Sequence, residues 1–236
     1  MSAAAGKAGS STKKTAQHES TSITDAYLLL YNTACAVGWN LTLYKIGTAL
    51  LMGGGVRDAV EATHDIVVVL QLVSTLEFVH ACAGLVRSNP MNIFMQVFGR
   101  DLALFSVVTA FPPVRDSNWV LLMFTAWATS EVIRYPFYAL NIAGTCPAVL
   151  QWLRYTAFIV LYPLGFAGEL GTWIVGLPHI KAVGLPGIPG LPEGSSVYIL
   201  YAYIVFAFAI GAPKLYFHMI RQRKKQLGGA VKAKPS

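Results

Sequence analysis

Charge is what this sequence has least of. Only 12% of its 236 residues are Asp, Glu, Lys or Arg, about half the share a soluble globular domain carries. With 55% hydrophobic residues and a mean hydropathy of +0.52, a soluble globular domain is excluded and a membrane protein is expected. Cysteine is scarce too. Cys35, Cys82 and Cys146 lie in or beside apolar segments at spacings that fit neither a disulfide framework nor a zinc site, and they read as buried free thiols. The five histidines (His18, His64, His80, His179, His218) are scattered, so the histidine clusters of a di-iron membrane desaturase or hydroxylase are missing. Met1 to Thr24 is small, polar and basic with no apolar core. It is not a signal peptide, and the first hydrophobic segment is expected to direct insertion.

Long apolar runs are what the chain has in quantity. Six are long enough to span a bilayer, which takes about 20 residues: Ala26–Leu51, Asp65–Val86, Met91–Phe111, Trp119–Leu140, Val149–Val175 and Val197–Ile220. The connections are short and rich in turn formers, as at Gly53-Gly54-Gly55, Ser88-Asn89-Pro90, Pro112-Pro113 and Gly144-Thr145-Cys146-Pro147. The fifth, about Gly176 to Ser196, is longer and holds Pro178, Pro186, Pro189 and Pro192. The sequence therefore predicts an all-α polytopic membrane protein, a single six-transmembrane-helix bundle over residues 25–220. A disordered polar tail (1–24) precedes it and a basic tail (221–236) follows.

Orientation follows from the basic residues beside the spans. The tails and the second loop hold Lys7, Lys13, Lys14, Arg87, Arg221, Arg223, Lys224, Lys225, Lys232 and Lys234, while the opposite loops hold only Arg57, Arg115 and Lys181. Both termini are expected in the cytosol. Lys232 and Lys234, fifth and third from the end, resemble a di-lysine retrieval signal for the endoplasmic reticulum.

Ionisable groups within these runs are expensive in a bilayer and normally face a protein interior or a wet cavity. Glu77 and His80 fall in the second run, Gln96, Arg100 and Asp101 in the third, and Glu131, Arg134 and Tyr135 in the fourth. The fifth holds Arg154, Tyr155, Tyr162 and Glu169. Glu131 and Arg134 have the i, i+3 spacing of an intrahelical ion pair. Tyr162 and Glu169 stand seven residues apart, about two turns, on nearly one face and roughly 10 Å apart along the axis. Pro163, Gly165 and Gly168 loosen the helix between them. With Arg87, Arg134 and Arg154 toward the cytosolic side, the pattern predicts a pocket with a cationic mouth and a polar pair at depth. Such a pocket suits a long amphiphile with an anionic head.

Motifs in order along the chain carry a resemblance. Tyr31-Asn32 is followed by Gly38-Trp39, Leu76-Glu77 with His80, Gly84-Leu-Val-Arg-Ser88 and Gln96 with Arg100. Then come Glu131-Val-Ile-Arg-Tyr135, Leu153-Arg-Tyr155, Leu161-Tyr-Pro-Leu-Gly165 with Glu169, and Leu215-Tyr-Phe-His-Met219 with Gln222-Arg223. From about Tyr27 to Lys225 the chain resembles the very-long-chain (3R)-3-hydroxyacyl-CoA dehydratases of the endoplasmic reticulum, also called protein tyrosine phosphatase-like. The Pro/Gly-rich fifth loop resembles them least.

The resemblance implies dehydration of a 3-hydroxyacyl-CoA to a trans-2-enoyl-CoA, the third step of fatty-acid elongation, beside the other enzymes of that cycle. Such an elimination needs a base for the C2 proton and an acid for the departing C3 hydroxyl, and no metal, flavin or nicotinamide. The family's catalytic tyrosine and glutamate fall on Tyr162 and Glu169. The resemblance suggests Tyr162 at C2 and Glu169 at the hydroxyl, and the reverse division serves the chemistry as well. Arg134, Arg154, Tyr155, Arg87 and Arg100 are the candidates for holding the thioester or the CoA phosphates. Other classes fit less well. A tyrosine phosphatase needs Cys and Arg bracketing five residues, and Trp152 stands where Cys146 would need Arg. No strand precedes Gly53-Gly54-Gly55 to make a nucleotide loop, and the internal repeat of a transporter is absent. A non-catalytic scaffold for elongation enzymes is the remaining alternative.

Overall fold

The computed structural model of the protein describes residues 22–184, 192 and 195–228, all helices and short connections, with no strand among them. Helix α1 spans Ile23–Leu51, α2 Val56–Cys82 and α3 Pro90–Ala103, which passes into a π-turn at Leu104–Thr109. A 3-10 turn at Pro112–Asp116 leads to α4, Asn118–Ile142. A short α5, Ala148–Thr156, precedes α6, Phe158–Val183. Helix α7, Ser195–Phe206, continues through a second π-turn, Ala207–Gly211, into α8, Ala212–Gly228. The tail over residues 1–21, the lysines at 232 and 234, and residues 185–191, 193 and 194 of the Pro/Gly-rich loop lie outside the described residues.

Local chemistry sets the ends. The backbone N–H groups of Thr24, Met91 and Trp119 donate to the side chains of Ser22, Asn89 and Ser117, satisfying donors that a helix start leaves free. The N–H of Gly55 donates to Asp58 at 2.7 Å. Helix α2 closes on Gly84 at φ 71°, and the N–H of Leu85 returns to the His80 carbonyl at 2.9 Å, a left-handed cap that favours glycine.

Prolines account for the irregular stretches. Each π-turn lies just before a proline, Pro112 or Pro213, whose missing N–H shifts the hydrogen-bond ladder. Pro112 cannot donate to the Val108 carbonyl, and Nε of Arg115 takes that place at 3.0 Å. The same Arg115 pairs with Glu61 at 2.8 Å, and Arg57 pairs with Asp116 at 3.1 Å. These pairs are why α2 starts at Val56 rather than at Asp65: its charged first turns dock on the 3-10 turn. The single expected run at Val149–Val175 is two helices, broken at Ala157, six residues ahead of Pro163. Helix α6 then passes Pro178 and stops only at Gly184, φ 76°, shortening the expected fifth connection. The last helix runs on past Ile220 to Gly228. Of the three thiols expected to be buried, Cys35 is, whereas Cys82 is exposed at the end of α2 and Cys146 half-buried in a turn.

Four rods are long and apolar enough to cross a membrane: Val56–Cys82, Pro90–Thr109, Phe158–Val183 and Val197–Leu227. Helices α1 and α4 are of similar length and less apolar. On α1 the outward stripe is Leu30, Val37, Tyr44 and Leu51, while Asn32, Cys35, Trp39, Thr42 and Ile46 turn inward. An apolar outer face suits lipid, and polar groups then collect inside. Helix α4 is the hub, with α1 on one side and α6 on the other. Trp39, Phe124, Trp127, Tyr135 and Trp173 fill the core around it.

Candidate active site

Without a solvent-driven force between helices, close approach depends on small residues. Gly165, Gly168 and Gly171 fall at every third position of α6, facing α4. A Cβ at Gly168 would lie 2.7 Å from the backbone N and Cα of Met123, and one at Gly171 would overlap the Trp119 indole. This notch lets α6 lie against the α4 backbone. Its consequence is one residue away: Nε1–H of Trp127 on α4 donates to Oε1 of Glu169 on α6 at 2.8 Å.

Glu169 and Tyr162 both line one cavity of about 360 Å³, walled by α3, α4, α6 and the α7–α8 rod, with α2 and α5 contributing at its ends. The Tyr162 hydroxyl donates to the Ala212 carbonyl at 3.2 Å, just past the second π-turn. Its ring packs against Phe166 at a 4.5 Å centroid distance. With Oε1 of Glu169 occupied by the indole, Oε2 is the oxygen left to meet a ligand. Tyr203 of α7 enters the same cavity, its hydroxyl 3.4 Å from where a Cβ on Gly99 would stand.

Beside this pair runs a chain of alternating charges. Nη1 of Arg100 donates to Oε1 of Glu131 at 2.5 Å, and Nε of Arg134 donates to Oε2 of the same carboxylate at 2.5 Å. The two terminal nitrogens of Arg134 then grip Glu77 at 2.6 and 2.7 Å, and the Tyr135 hydroxyl donates to Glu77 at 2.5 Å. Two cations and two anions cancel, as buried charges must to offset desolvation. Arg100 also lies over the Trp127 ring, 5.2 Å from its centroid. The chain therefore reaches Glu169 through the indole that bonds it.

Of the residues the sequence singled out, Tyr162, Glu169, Arg100, Arg134 and Arg154 share this cavity. The Arg134 fork is spent on Glu77 and Glu131. Tyr155 turns away, edge-on to Phe137 at 5.8 Å, and Arg87 is exposed in the turn after α2; neither lines the cavity. Sequence pattern alone assigns no role to Trp127, although it stands four and seven residues before Glu131 and Arg134, on their helical face. Among the described residues no group of three His, Cys, Asp or Glu side chains is placed to hold a metal ion.

Comparisons with known proteins agree with one another. The family model described as protein tyrosine phosphatase-like protein, PTPLA, matches residues 71–229. The chain is 33% identical over 205 residues to the human very-long-chain (3R)-3-hydroxyacyl-CoA dehydratase 2, covering 86% of this chain and 81% of that protein. It is 37% identical over 212 residues to the very-long-chain (3R)-3-hydroxyacyl-CoA dehydratase hpo-8 of Caenorhabditis elegans, with 88% and 97% covered. Against the very-long-chain (3R)-3-hydroxyacyl-CoA dehydratase PASTICCINO 2 of Arabidopsis thaliana it is 33% identical over 207 residues, with 85% and 92% covered. No solved structure matches it.

Proposed function

Because this chain belongs to the protein tyrosine phosphatase-like (PTPLA) family, we propose that it dehydrates a very-long-chain (3R)-3-hydroxyacyl-CoA to the trans-2-enoyl-CoA, as the third step of fatty-acid elongation. The observation that carries this reading is the placement of Tyr162 and Glu169 in one cavity walled by membrane-type helices. In the elimination the C2–H and C3–O bonds break, the C2–C3 double bond forms and water departs. Tyr162 acts at C2. Glu169, held through Oε1 by Trp127, protonates the leaving hydroxyl from Oε2. Arg100, Glu131, Arg134 and Glu77 tie together α2, α3 and α4, and α4 is the helix against which α6, the carrier of the pair, is packed.

The six helical rods are assigned as six spans in the endoplasmic reticulum membrane, both termini in the cytosol, beside the other enzymes of the cycle. The charge pattern supports this orientation. At the opposite end Arg57 and Arg115 are paired with Asp116 and Glu61, so the unpaired basic surface is concentrated at the cytosolic end.

The test is enoyl-CoA formation from a long-chain 3-hydroxyacyl-CoA by the purified protein in detergent. Tyr162→Phe and Glu169→Gln are each expected to lower kcat about 10²–10⁴-fold. Near-wild-type turnover in both variants would overturn the site, and a wild type inactive at every chain length would leave a scaffold role in its place.

A further inference from the structure

Two guanidinium groups, Arg154 in the wall of the cavity and Arg223 four residues beyond its lining residue Met219, meet no carboxylate among the described residues. Arg154, half-buried on α5, sends Nη2 to the Tyr138 hydroxyl at 3.2 Å, with its Cζ 5.6 Å from that ring's centroid. Arg223, half-buried on α8, directs Nε at Oγ1 of Thr156 at 3.4 Å. Thr156 lies two residues beyond Arg154, so the short α5 gathers both cations. Both anchors are neutral. Among the described residues neither arginine joins an ion pair, whereas Arg57, Arg100, Arg115 and Arg134 each meet a carboxylate. Arginines drawn this close to apolar surface either pair or keep their heads at the water's edge. Here hydroxyls fix the direction of each fork and the charge is left uncompensated.

The two arginines also stand where an anion attached to a cavity ligand would emerge. Arg154 lines the cavity, and so do Leu215 and Met219 of α8. Arg223 is the next residue at the same spacing of four. Arg154 precedes Tyr162 by eight residues, about 12 Å at the helical rise, which the bonds from Ala157 N–H to the Leu153 carbonyl and from Leu161 N–H to the Ala157 carbonyl carry through the turn between α5 and α6. The pantetheine arm of coenzyme A runs thirteen covalent bonds from phosphorus to sulfur, a little more than four extended residues, or roughly 15 Å. The helical rise and the length of the arginine side chain together cover that distance.

We propose that Arg154 and Arg223 form a clamp for the phosphates of the substrate's coenzyme A, at the cytosolic rim of the cavity. Planar guanidinium forks suit phosphate oxygens, and the pantetheine arm then leads the thioester down to Tyr162. This inference rests on the acyl-CoA reading above. A phospholipid head group offers the same phosphate chemistry, and the experiment separates the two sources.

The full-length protein is assayed with a 3-hydroxyacyl-CoA and with the matching 3-hydroxyacyl-pantetheine thioester, which lacks the phosphates. Arg154→Gln and Arg223→Gln are each expected to raise KM for the CoA substrate about tenfold, leaving kcat unchanged. The pantetheine thioester should show no change in either constant. Adenosine 3′,5′-bisphosphate should compete with the CoA substrate in the wild type and lose about tenfold in potency in Arg223→Gln. Equal losses on both thioesters would overturn the clamp in favour of a structural role. An unchanged KM for the CoA substrate in both variants would overturn it in favour of lipid head groups. A wild type that dehydrates nothing sinks the dehydratase reading instead, and calorimetric binding of adenosine 3′,5′-bisphosphate, lost or kept in the variants, then decides the clamp by itself.

Discussion

The indole N–H of Trp127 bonds one oxygen of Glu169 across the seam between α4 and α6, 2.8 Å from donor to acceptor. The seam is so close because Gly168 brings α6 to the Met123 backbone. A glutamate free to swing would meet its substrate in many poses; this one is held in a single pose by a rigid, buried donor. Trp127→Phe keeps most of the ring volume and removes the donor. It is expected to lower kcat about ten- to hundredfold, as small misplacements of a reacting group do, while KM stays near the wild-type value. Steady-state kinetics check this, and an unchanged kcat would mean that the indole has no part in positioning Glu169.

Arg134 is the tie between two carboxylates, the partly buried Glu77 and the fully buried Glu131. Arg134→Leu strands Glu77 and leaves Glu131 to Arg100 alone, and the loss of unfolding free energy is expected to be about 3–5 kcal/mol, the scale for removing one partner of a buried pair. Adding Glu77→Leu should return part of that loss, with a coupling of about 0.5–3 kcal/mol. Denaturation of the four members of this double-mutant cycle in detergent is the measurement. Simple additivity would show that the two side chains do not depend on one another.

Two glycine-to-alanine substitutions should have opposite signs. At Gly168 a methyl group would lie 2.7 Å from backbone atoms of Met123, and backbone yields less easily than a flexible side-chain end. Overpacking of this kind costs about 1–3 kcal/mol, and the shift of the neighbouring Glu169 should reduce turnover as well. At Gly47, inside α1, nothing lies within 4 Å of the new methyl, and alanine should add about 0.5–1 kcal/mol by restricting the unfolded chain. Thermal unfolding of both variants tests the contrast.

Topology has its own readout. A glycosylation acceptor placed between residues 185 and 194 should be modified in the lumen, and one at either terminus should not. Modification at a terminus would invert the assigned orientation.

Much of the architecture was legible because a bilayer makes periodicity and length decisive. Each of the six apolar runs is helical, and the polar face shared by Tyr162 and Glu169 follows from a spacing of seven. What escaped was cross-helix geometry. Residues 127 and 169 meet only because glycines at 165, 168 and 171 bring two backbones together, and no local pattern states which helix fills such a notch. Arg134 looked like a ligand-binding cation because its partner Glu77 is 57 residues away in sequence. The start of α2 was misplaced since Arg57 and Glu61 read as loop residues until Arg115 and Asp116 supply their partners. Pro178 looked like a terminator, yet a helix surrounded by lipid and neighbouring helices tolerates the lost bond.

Along the α7–α8 rod, Tyr203, Ala207, Gly211, Leu215 and Met219 all line the cavity, at every fourth position. In a regular α-helix such a series precesses by about 40° per step and would soon rotate off the cavity wall. The wider π-turn at Ala207–Gly211 winds back against that precession, and it does so at the midpoint of the series. The rod thereby works as a rotational gauge, holding the deep tyrosine and the rim arginine in a common phase. Gaining or losing one residue there would turn Arg223 by about 100° relative to Tyr203. Length is therefore under tighter constraint in this turn than side-chain identity is, the opposite of what its plain Ala-Phe-Ala-Ile-Gly composition would suggest.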